Sequence, residues 1–475
     1  MLNFHLFGLV KCRQMNRRIL LKNMLKGLPM YCVAPWFLEA CAKAEPDDAL
    51  GIEGPVCIIG AGAAGIYAAA YLMKLGVEVT ILEASSRAGG RIRSQDGFAD
   101  FPAELGAEEI HGRRSLLYDL ALASAQADIL PEVGESKYWL NNVLRDSYFF
   151  QQSSALQGAG QTLLQISESL ASYEGPDISL QEYLINFPIE PGMIEIANAI
   201  IANEYGTQLD RIGMYALREA EQRYSSGIDG YFLKNRSMWS LFEIAFPDAI
   251  AKVKLNEPVS DVVVKESGVL VKTIYDAEYT AQKVLITVPI RMLQESYIVF
   301  NPPLPQAKLD AINAIKMDVG SKFILRFSAP FWDDDTGSIL GGLRIPEYWV
   351  SSAGKNSATP TLTAFVMGDR ADYFQGMAES QIRAELLDEL GLMYPTQNPS
   401  ALCTGVLVQR WADEPFIRGA YSYPSPQSTG MREVLAEPVG NSLFFAGEAC
   451  NVNGHIATVH GAMESAYLAC KSMKK

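Results

Sequence analysis

The period of the hydrophobic pattern changes along the chain. Val56–Ile59 is an unbroken apolar run of four residues, the length and composition of a strand covered on both faces. Gly60-Ala61-Gly62-Ala63-Ala64-Gly65 follows, then an alanine-rich stretch that predicts a helix to about Leu75, ended by Gly76. Residues 77–82 predict a second strand, closed by Glu83. Between residues 113 and 225, "LLYDLALASA", "GQTLLQISESLASY" and "IEIANAIIANEY" space their apolar residues as helices do, so this region is expected to be mostly helical. Residues 250–290 turn to strands: "SDVVVKESGVLVKTIY" alternates around a turn near Gly268, and residues 283–293 read as a buried strand stopped by Pro289. Residues 322–332 alternate, 378–392 are helical, and "SLFFAGEA" is an apolar strand ending in glycine. No internal repeat interrupts this mixed α/β order, which suggests two interleaved domains.

The first unit has a chemical meaning. Gly60 permits a tight turn, Gly62 lets backbone approach a pyrophosphate, and Gly65 lets helix and strand pack closely. The helix N-terminus offers unpaired N–H groups to the anion. Glu83, at the end of the second strand, is placed to accept hydrogen bonds from ribose hydroxyls. Strand, glycines, helix, strand and acid in register predict a dinucleotide site. A length of 475 residues suits two or three domains, and 49% hydrophobic with 20% charged residues is a globular composition. The net charge of −14 argues against nucleic-acid binding and favours attraction of cationic substrates. The seven cysteines form no CxxC pair, so neither a disulfide framework nor a zinc site is expected; Cys57 reads as a core residue.

The N-terminus stands apart. Residues 1–41 carry six Lys/Arg and one acid, +5, leaving about −19 on the rest. Arg17-Arg18 followed by Ile19-Leu20-Leu21-Lys22 resembles a twin-arginine export signal, and Gly27, Pro29 and Pro35 break the apolar stretch too often for a membrane span. Residues 1–52 are therefore expected to be an export signal and linker, recognised by the twin-arginine machinery and leading to a periplasmic or cell-surface protein. Leu38-Glu39-Ala40-Cys41 resembles a degenerate lipobox, making Cys41 a candidate for a lipid anchor, and Met15 is an alternative start.

"SSRAGGRI" after Glu83, the run "ELGAEEIHG" (104–112), "GSKFILRFSAPFW" around Lys322, "QRWADEPFIRGAYSYP" (409–424) and "FFAGEACNVNGHIATVHGAM" (444–463) together resemble the flavin-containing amine oxidase superfamily: monoamine oxidases, polyamine oxidases and flavin histone demethylases. The resemblance spans nearly all of the chain after the leader. It implies an α/β fold of two domains, a Rossmann-like FAD-binding domain of the amine oxidase/glutathione-reductase type (53–112, 230–300 and 405–475) and an interleaved α+β substrate domain (113–229 and 301–404). FAD would be held by Gly60, Gly62, Ala64, Gly65, Glu83, Ala84, Gly90, Arg91, Leu105, Gly106, Ala107, Glu108, Val259, Trp411, Gly447, Glu448, Thr458 and Val459. Lys322 would hold a water against flavin N5, and Tyr421 would stand beside the reactive face opposite Thr458, a cage with one aromatic wall. Ala420 replaces the cysteine that bonds to the flavin in monoamine oxidases, so the FAD is expected to be non-covalent.

His111, Glu109, Tyr421 and His455 are candidates for the substrate pocket. A metal at His455 and His460 is not expected, because residues five apart on a helix lie about 140° apart around it. The implied reaction is oxidative deamination of a primary or secondary amine, a polyamine included, with electrons passing to O2, giving H2O2, or to another acceptor. Three alternatives remain: an L-amino acid oxidase, with Arg113 or Arg114 as carboxylate clamp; a desaturase or protoporphyrinogen-oxidase-like flavoprotein; and a non-catalytic flavin scaffold.

Overall fold

The computed structural model describes residues 52, 54–124, 129–147, 169–187, 189 and 191–474. The expectations for the leader, Arg17-Arg18 and Cys41, and most of "GQTLLQISESLASY", lie outside them.

At the centre is a five-stranded parallel sheet, in the order Val253–Lys254, Val79–Leu82, Val56–Ile59, Lys283–Ile286, Leu443–Phe445. Of its three inner strands, two come from residues 56–82 and the third from residues 283–286, and each is a nearly unbroken apolar run because both faces are covered. On one face the helices Ala63–Lys74 and Val459–Ser472 pack against each other and the sheet through Ile66, Ala69, Met463 and Ala466. On the other, the antiparallel strands Val259–Lys265, Gly268–Thr273 and Glu278–Ala281 bring Val262, Val269 and Val271 against Ile59, Val284 and Phe445.

A seven-stranded mixed sheet forms the second layer. Its order is Cys403–Arg410, Gly320–Phe327, Thr361–Met367, Glu347–Trp349, Thr336–Leu340, Glu135–Leu140, Val143–Arg145. Alternation on Gly320–Phe327 sends Phe323 and Leu325 toward the helix Glu379–Met393, where they meet Leu386 and Leu390 in one apolar core. Lys322 points to the other face. It stands opposite Phe365, which stands opposite Glu347, so the three lie side by side across neighbouring strands.

Several boundaries differ from the sequence pattern. The second strand starts at Val79, and the run at 283 ends at Ile286, after which Pro289 caps the helix Ile290–Gln294. The strand containing Lys322 stops at Phe327. The region 113–225 is less helical than expected: it includes the hairpin Glu135–Leu140 and Val143–Arg145, turned by Asn141 and Asn142 with φ of 52° and 61°. Two consecutive left-handed residues match the twist of a tight hairpin, and asparagine tolerates that conformation better than most.

Candidate functional site

One cavity of about 810 Å³ runs between the two layers, from the Gly60 turn to Tyr421. Gly60 has φ 106°, and Thr287 Oγ1 donates to the Ile59 and Gly60 carbonyls. A Cβ on Gly65 would stand 2.0 Å from the Gly60 carbonyl oxygen, so only glycine lets the helix start this close to the strand. A Cβ on Gly62 would meet nothing within 4 Å and would project into space. That is the surface a pyrophosphate needs. Glu83 is buried and accepts from Ala61 N at 2.8 Å and from Ser85 N at 2.9 Å, which fixes its carboxylate at the end of the second strand.

The second glycine turn lies against the first. Gly89 N donates to Ala61 O at 2.9 Å, and Arg87 pins the turn by donating to the carbonyls of Ala88, Gly90 and Ile92. Arg91 donates to Glu448 at 2.9 Å and to Ala420 O at 2.8 Å. Glu448 in turn accepts from Ser422 Oγ at 2.6 Å, and the buried Arg432 donates to Ser422 Oγ and Ala449 O. A buried charge network with each member hydrogen-bonded holds its geometry firmly. Gly106 is equally constrained: a Cβ there would fall 2.0 Å from Arg91 O and 3.0 Å from Trp411, whose Nε1 donates to Leu105 O.

Of the expected cofactor residues, all but Gly65 line the cavity, and Gly65 serves by packing behind it. The residues fit a dinucleotide: paired glycine turns, an acid for the ribose, and the N-termini of two helices facing one cavity. Fold and site define a two-layer protein of the dinucleotide-binding class, with a cavity that continues beyond the dinucleotide turns. The comparisons specify the family. The chain belongs to the flavin containing amine oxidoreductase family, whose model matches residues 63–473.

Its relatives include lysine-specific histone demethylase 1 homolog 2 of Arabidopsis thaliana, 30% identical over 476 residues, covering 92% of this chain and 60% of that protein. Polyamine oxidase 4 of Oryza sativa subsp. japonica is 24% identical, with 88% of each chain covered. The chain spans 60%, 28% and 50% of the length of the first three demethylase relatives. Among solved structures, a putrescine oxidase bound to putrescine aligns with a TM-score of 0.77 at 21% identity, over 88% of this chain and 98% of that one. Cyclohexylamine oxidase from Brevibacterium oxydans IH-35A aligns with a TM-score of 0.75 at 19% identity, over 89% and 98%. These two show the fold. Membership of this family implies FAD as the cofactor.

At the far end, Tyr421, Thr458, His111 and Glu109 all line the cavity. Tyr421 is held by its hydroxyl, which donates to Glu204 O at 2.8 Å. Thr458 is the N-cap of Val459–Ser472: its Oγ1 accepts from Gly461 N at 3.0 Å and donates to His455 O at 2.8 Å. Its hydroxyl is therefore engaged in capping, and it presents the rest of its surface to the chamber. His111 Nδ1 lies 3.4 Å from Glu109.

Lys322 lines the cavity and has protein partners that the sequence did not reveal. Its ammonium donates to Glu108 Oε2 at 2.7 Å and to the carbonyls of Glu104 and Gly106, each at 3.0 Å. An ammonium has three hydrogens. The protein supplies an acceptor for each of the three.

His455 is also misplaced by the sequence pattern. It does not line the cavity; it is buried, with Nδ1 2.8 Å from Glu464 and Nε2 accepting from Ser225 N at 3.2 Å. The angular argument against a metal does not apply, because the helix starts at Val459 and His455 precedes it. The rings of His455 and His460 stand 4.8 Å apart, and with Glu464 they form a buried cluster of possible ligand atoms. Hydrogen bonding assigns it differently. Ser225 N–H occupies Nε2, so Nδ1 carries the proton given to Glu464, and neither nitrogen of His455 has a lone pair to offer. The cluster ties the 451–458 segment, through Asn451 and Glu464, to the Ser225-Ser226 turn.

The sequence reading missed the acidic side of the chamber. Glu132, Glu204, Glu221, Asp229 and Glu347 line it together with Glu109. They come from separate elements, so no local motif announces them. Glu347 and Trp349 were the accessible signal, two residues apart on one face of a strand in which an inward carboxylate demands a reason.

Proposed function

We propose that the chain oxidises a di- or polyamine, binding the charged nitrogens that are not reacting in the acidic chamber. The observation that carries this is the set of carboxylates, Glu109, Glu132, Glu204, Glu221, Asp229 and Glu347, that line the same cavity as Trp349, Phe365, Tyr224 and Tyr421. Carboxylates attract ammonium groups, and aromatic faces stabilise them once water is excluded. FAD held by the two glycine turns, Glu83 and Arg91 would supply the acceptor for a hydride equivalent from the amine's α-carbon, and the imine so formed would hydrolyse to a carbonyl compound. The chain's part is to orient the amine against Tyr421, exclude water and favour the charged remote nitrogen over a neutral tail.

An L-amino acid substrate is less well served. Among the described residues, the cations lining the cavity are Arg87, Arg91 and Lys322, each already bonded to backbone or to glutamate. Arg113 and Arg114 lie outside the cavity, and Arg113 bonds Tyr231 instead.

Steady-state rates with 1,4-diaminobutane, spermidine, benzylamine and L-leucine test this reading. A hydrogen bond to a charged group contributes about 1.5–3 kcal/mol, so Glu347→Gln is expected to lower kcat/KM for the preferred diamine by about tenfold or more, with benzylamine nearly unchanged. Benzylamine or leucine as the better substrate of the unmodified enzyme would sink the proposal. The basic leader further supports export of the folded, FAD-loaded protein. Replacing Arg17 and Arg18 by lysine should then retain it in the cytoplasm, and unaltered export would remove that reading.

A further inference from the structure

We propose that Glu108 is a charge-cancelling residue, which neutralises Lys322 at the flavin end of the cavity and thereby slows the reaction of the reduced site with oxygen. The glycine turns and Glu83 mark the ADP end of the cavity. A flavin ring would then occupy the remainder, which is lined by Gly106, Ala107, Glu108 and Lys322. A lone lysine there would put a full positive charge beside the ring. The pair puts none: Lys322 and Glu108 are 2.7 Å apart, with side chains only 4% and 7% exposed.

The surrounding charges leave that cancellation in place. Glu104 accepts from Met238 N, and its carboxyl is pushed up to about 8 by burial, so it is neutral at pH 7. Lys355, whose ammonium is disfavoured by burial, sits 4.3 Å from the Phe101 ring centroid and does not line the cavity. The Trp349 ring, 5.0 Å from Lys322 Nζ, adds no charge. Glu108 is thus the anion that Lys322 faces.

The consequence follows from where charge develops. Moving an electron onto O2 creates an anion, and a net positive charge nearby stabilises it. Withholding that charge slows oxygen without affecting an acceptor that gains no local negative charge in the cavity. The same field governs sulfite, which adds through its sulfur lone pair to oxidised flavin, places negative charge on the ring and bleaches its absorbance. Sulfite affinity is therefore an equilibrium measure of local charge, independent of amine turnover. The inference rests on FAD occupying the site and not on which amine binds, so the diamine reading can fail without it, and the reverse.

The experiment compares four variant holoenzymes with the unmodified one by sulfite titration and by stopped-flow reoxidation with oxygen. A unit charge within several ångströms at an effective dielectric of about 20 changes each quantity by roughly tenfold or more. Glu108→Gln should tighten sulfite binding and speed reoxidation by that factor. Lys322→Met should shift both the opposite way, and the Lys322→Met/Glu108→Gln double variant should return close to the unmodified enzyme, since both are locally neutral. Glu108→Asp keeps the charge and should behave as the unmodified enzyme, which also covers a Gln variant that fails to load FAD. Values within twofold of the unmodified enzyme for Glu108→Gln, or a Glu108→Asp protein that matches Glu108→Gln, overturn the proposal.

Discussion

Gly65→Ala yields an apoprotein of lowered stability, whereas Gly62→Ala yields an apoprotein of ordinary stability that does not hold FAD. The two glycines sit three residues apart in one turn and fail for different reasons. At Gly65 the new methyl would stand 2.0 Å from the Gly60 carbonyl oxygen and 3.1 Å from Thr287 Oγ1. The first neighbour is backbone, held by Gly60 at φ 106° and by the Thr287 hydroxyl, and it has nowhere to move. Overpacking of this kind costs about 1–3 kcal/mol or more, and it opens the contact between strand Val56–Ile59 and helix Ala63–Lys74.

At Gly62 the methyl meets no protein atom within 4 Å. It occupies the approach to the helix N-terminus, so the fold is spared and only the cofactor is displaced. A clash of about 3 kcal/mol at the pyrophosphate weakens binding by roughly 100-fold. Thermal unfolding of the apoproteins separates the two effects. Acid precipitation of the holoenzymes measures the second, because with Ala420 where a cysteinyl link would form, the unmodified protein should release its flavin to the supernatant. A Gly62→Ala protein with full flavin content would remove Gly62 from the pyrophosphate site, and flavin retained in the acid pellet would disprove non-covalent binding.

This turn was the most legible part of the chain because its function is local. Strand, glycines, helix and acid fall within some thirty residues, and each residue type answers to one steric or hydrogen-bonding demand. The cavity lining from Arg91 through Ala107, Trp411 and Gly447 was legible only through family resemblance, since its residues converge from three distant stretches. The hairpin at Asn141-Asn142 carried its own signal, two turn-forming residues between apolar flanks, and was overridden by a helical reading of its surroundings. Lys322 shows the other limit. Its position on the cavity face follows from strand alternation, but its partner Glu108 lies 214 residues away. Whether a lysine is a free cation or half of an ion pair is a property of the fold. His455 failed for a related reason: a helical angle was assigned to a residue that precedes the helix capped by Thr458.

The same distinction between a residue's type and its surroundings makes Glu104 a source of pH dependence. Glu104→Gln is expected to leave stability near that of the unmodified protein at pH 5 and to exceed it increasingly up to pH 8. The carboxyl is buried, Oε1 accepts from Met238 N, and Oε2 has no hydrogen-bond partner among the described residues. Burial dominates and raises its pKa from 4.5 to about 8; the nearby Glu108 adds to this, and Lys322 and Lys355 oppose it. Between those values the unfolded chain has lost the proton while the folded one keeps it. Folding then binds a proton, and stability falls with rising pH by up to about 1.4 kcal/mol per unit across the window.

Below 4.5 both states are protonated and above about 8 both are ionised, so the loss is confined between them. Glutamine has the shape of the neutral acid, keeps an oxygen to accept from Met238 N and does not titrate. The unmodified protein should therefore lose melting temperature from pH 5 to pH 8 relative to Glu104→Gln, with the two curves parallel above pH 9. Thermal unfolding across that range checks it. A gap between the two proteins that stays constant from pH 5 to pH 8 would show that Glu104 is ionised throughout, and that Lys322 faces two anions instead of one.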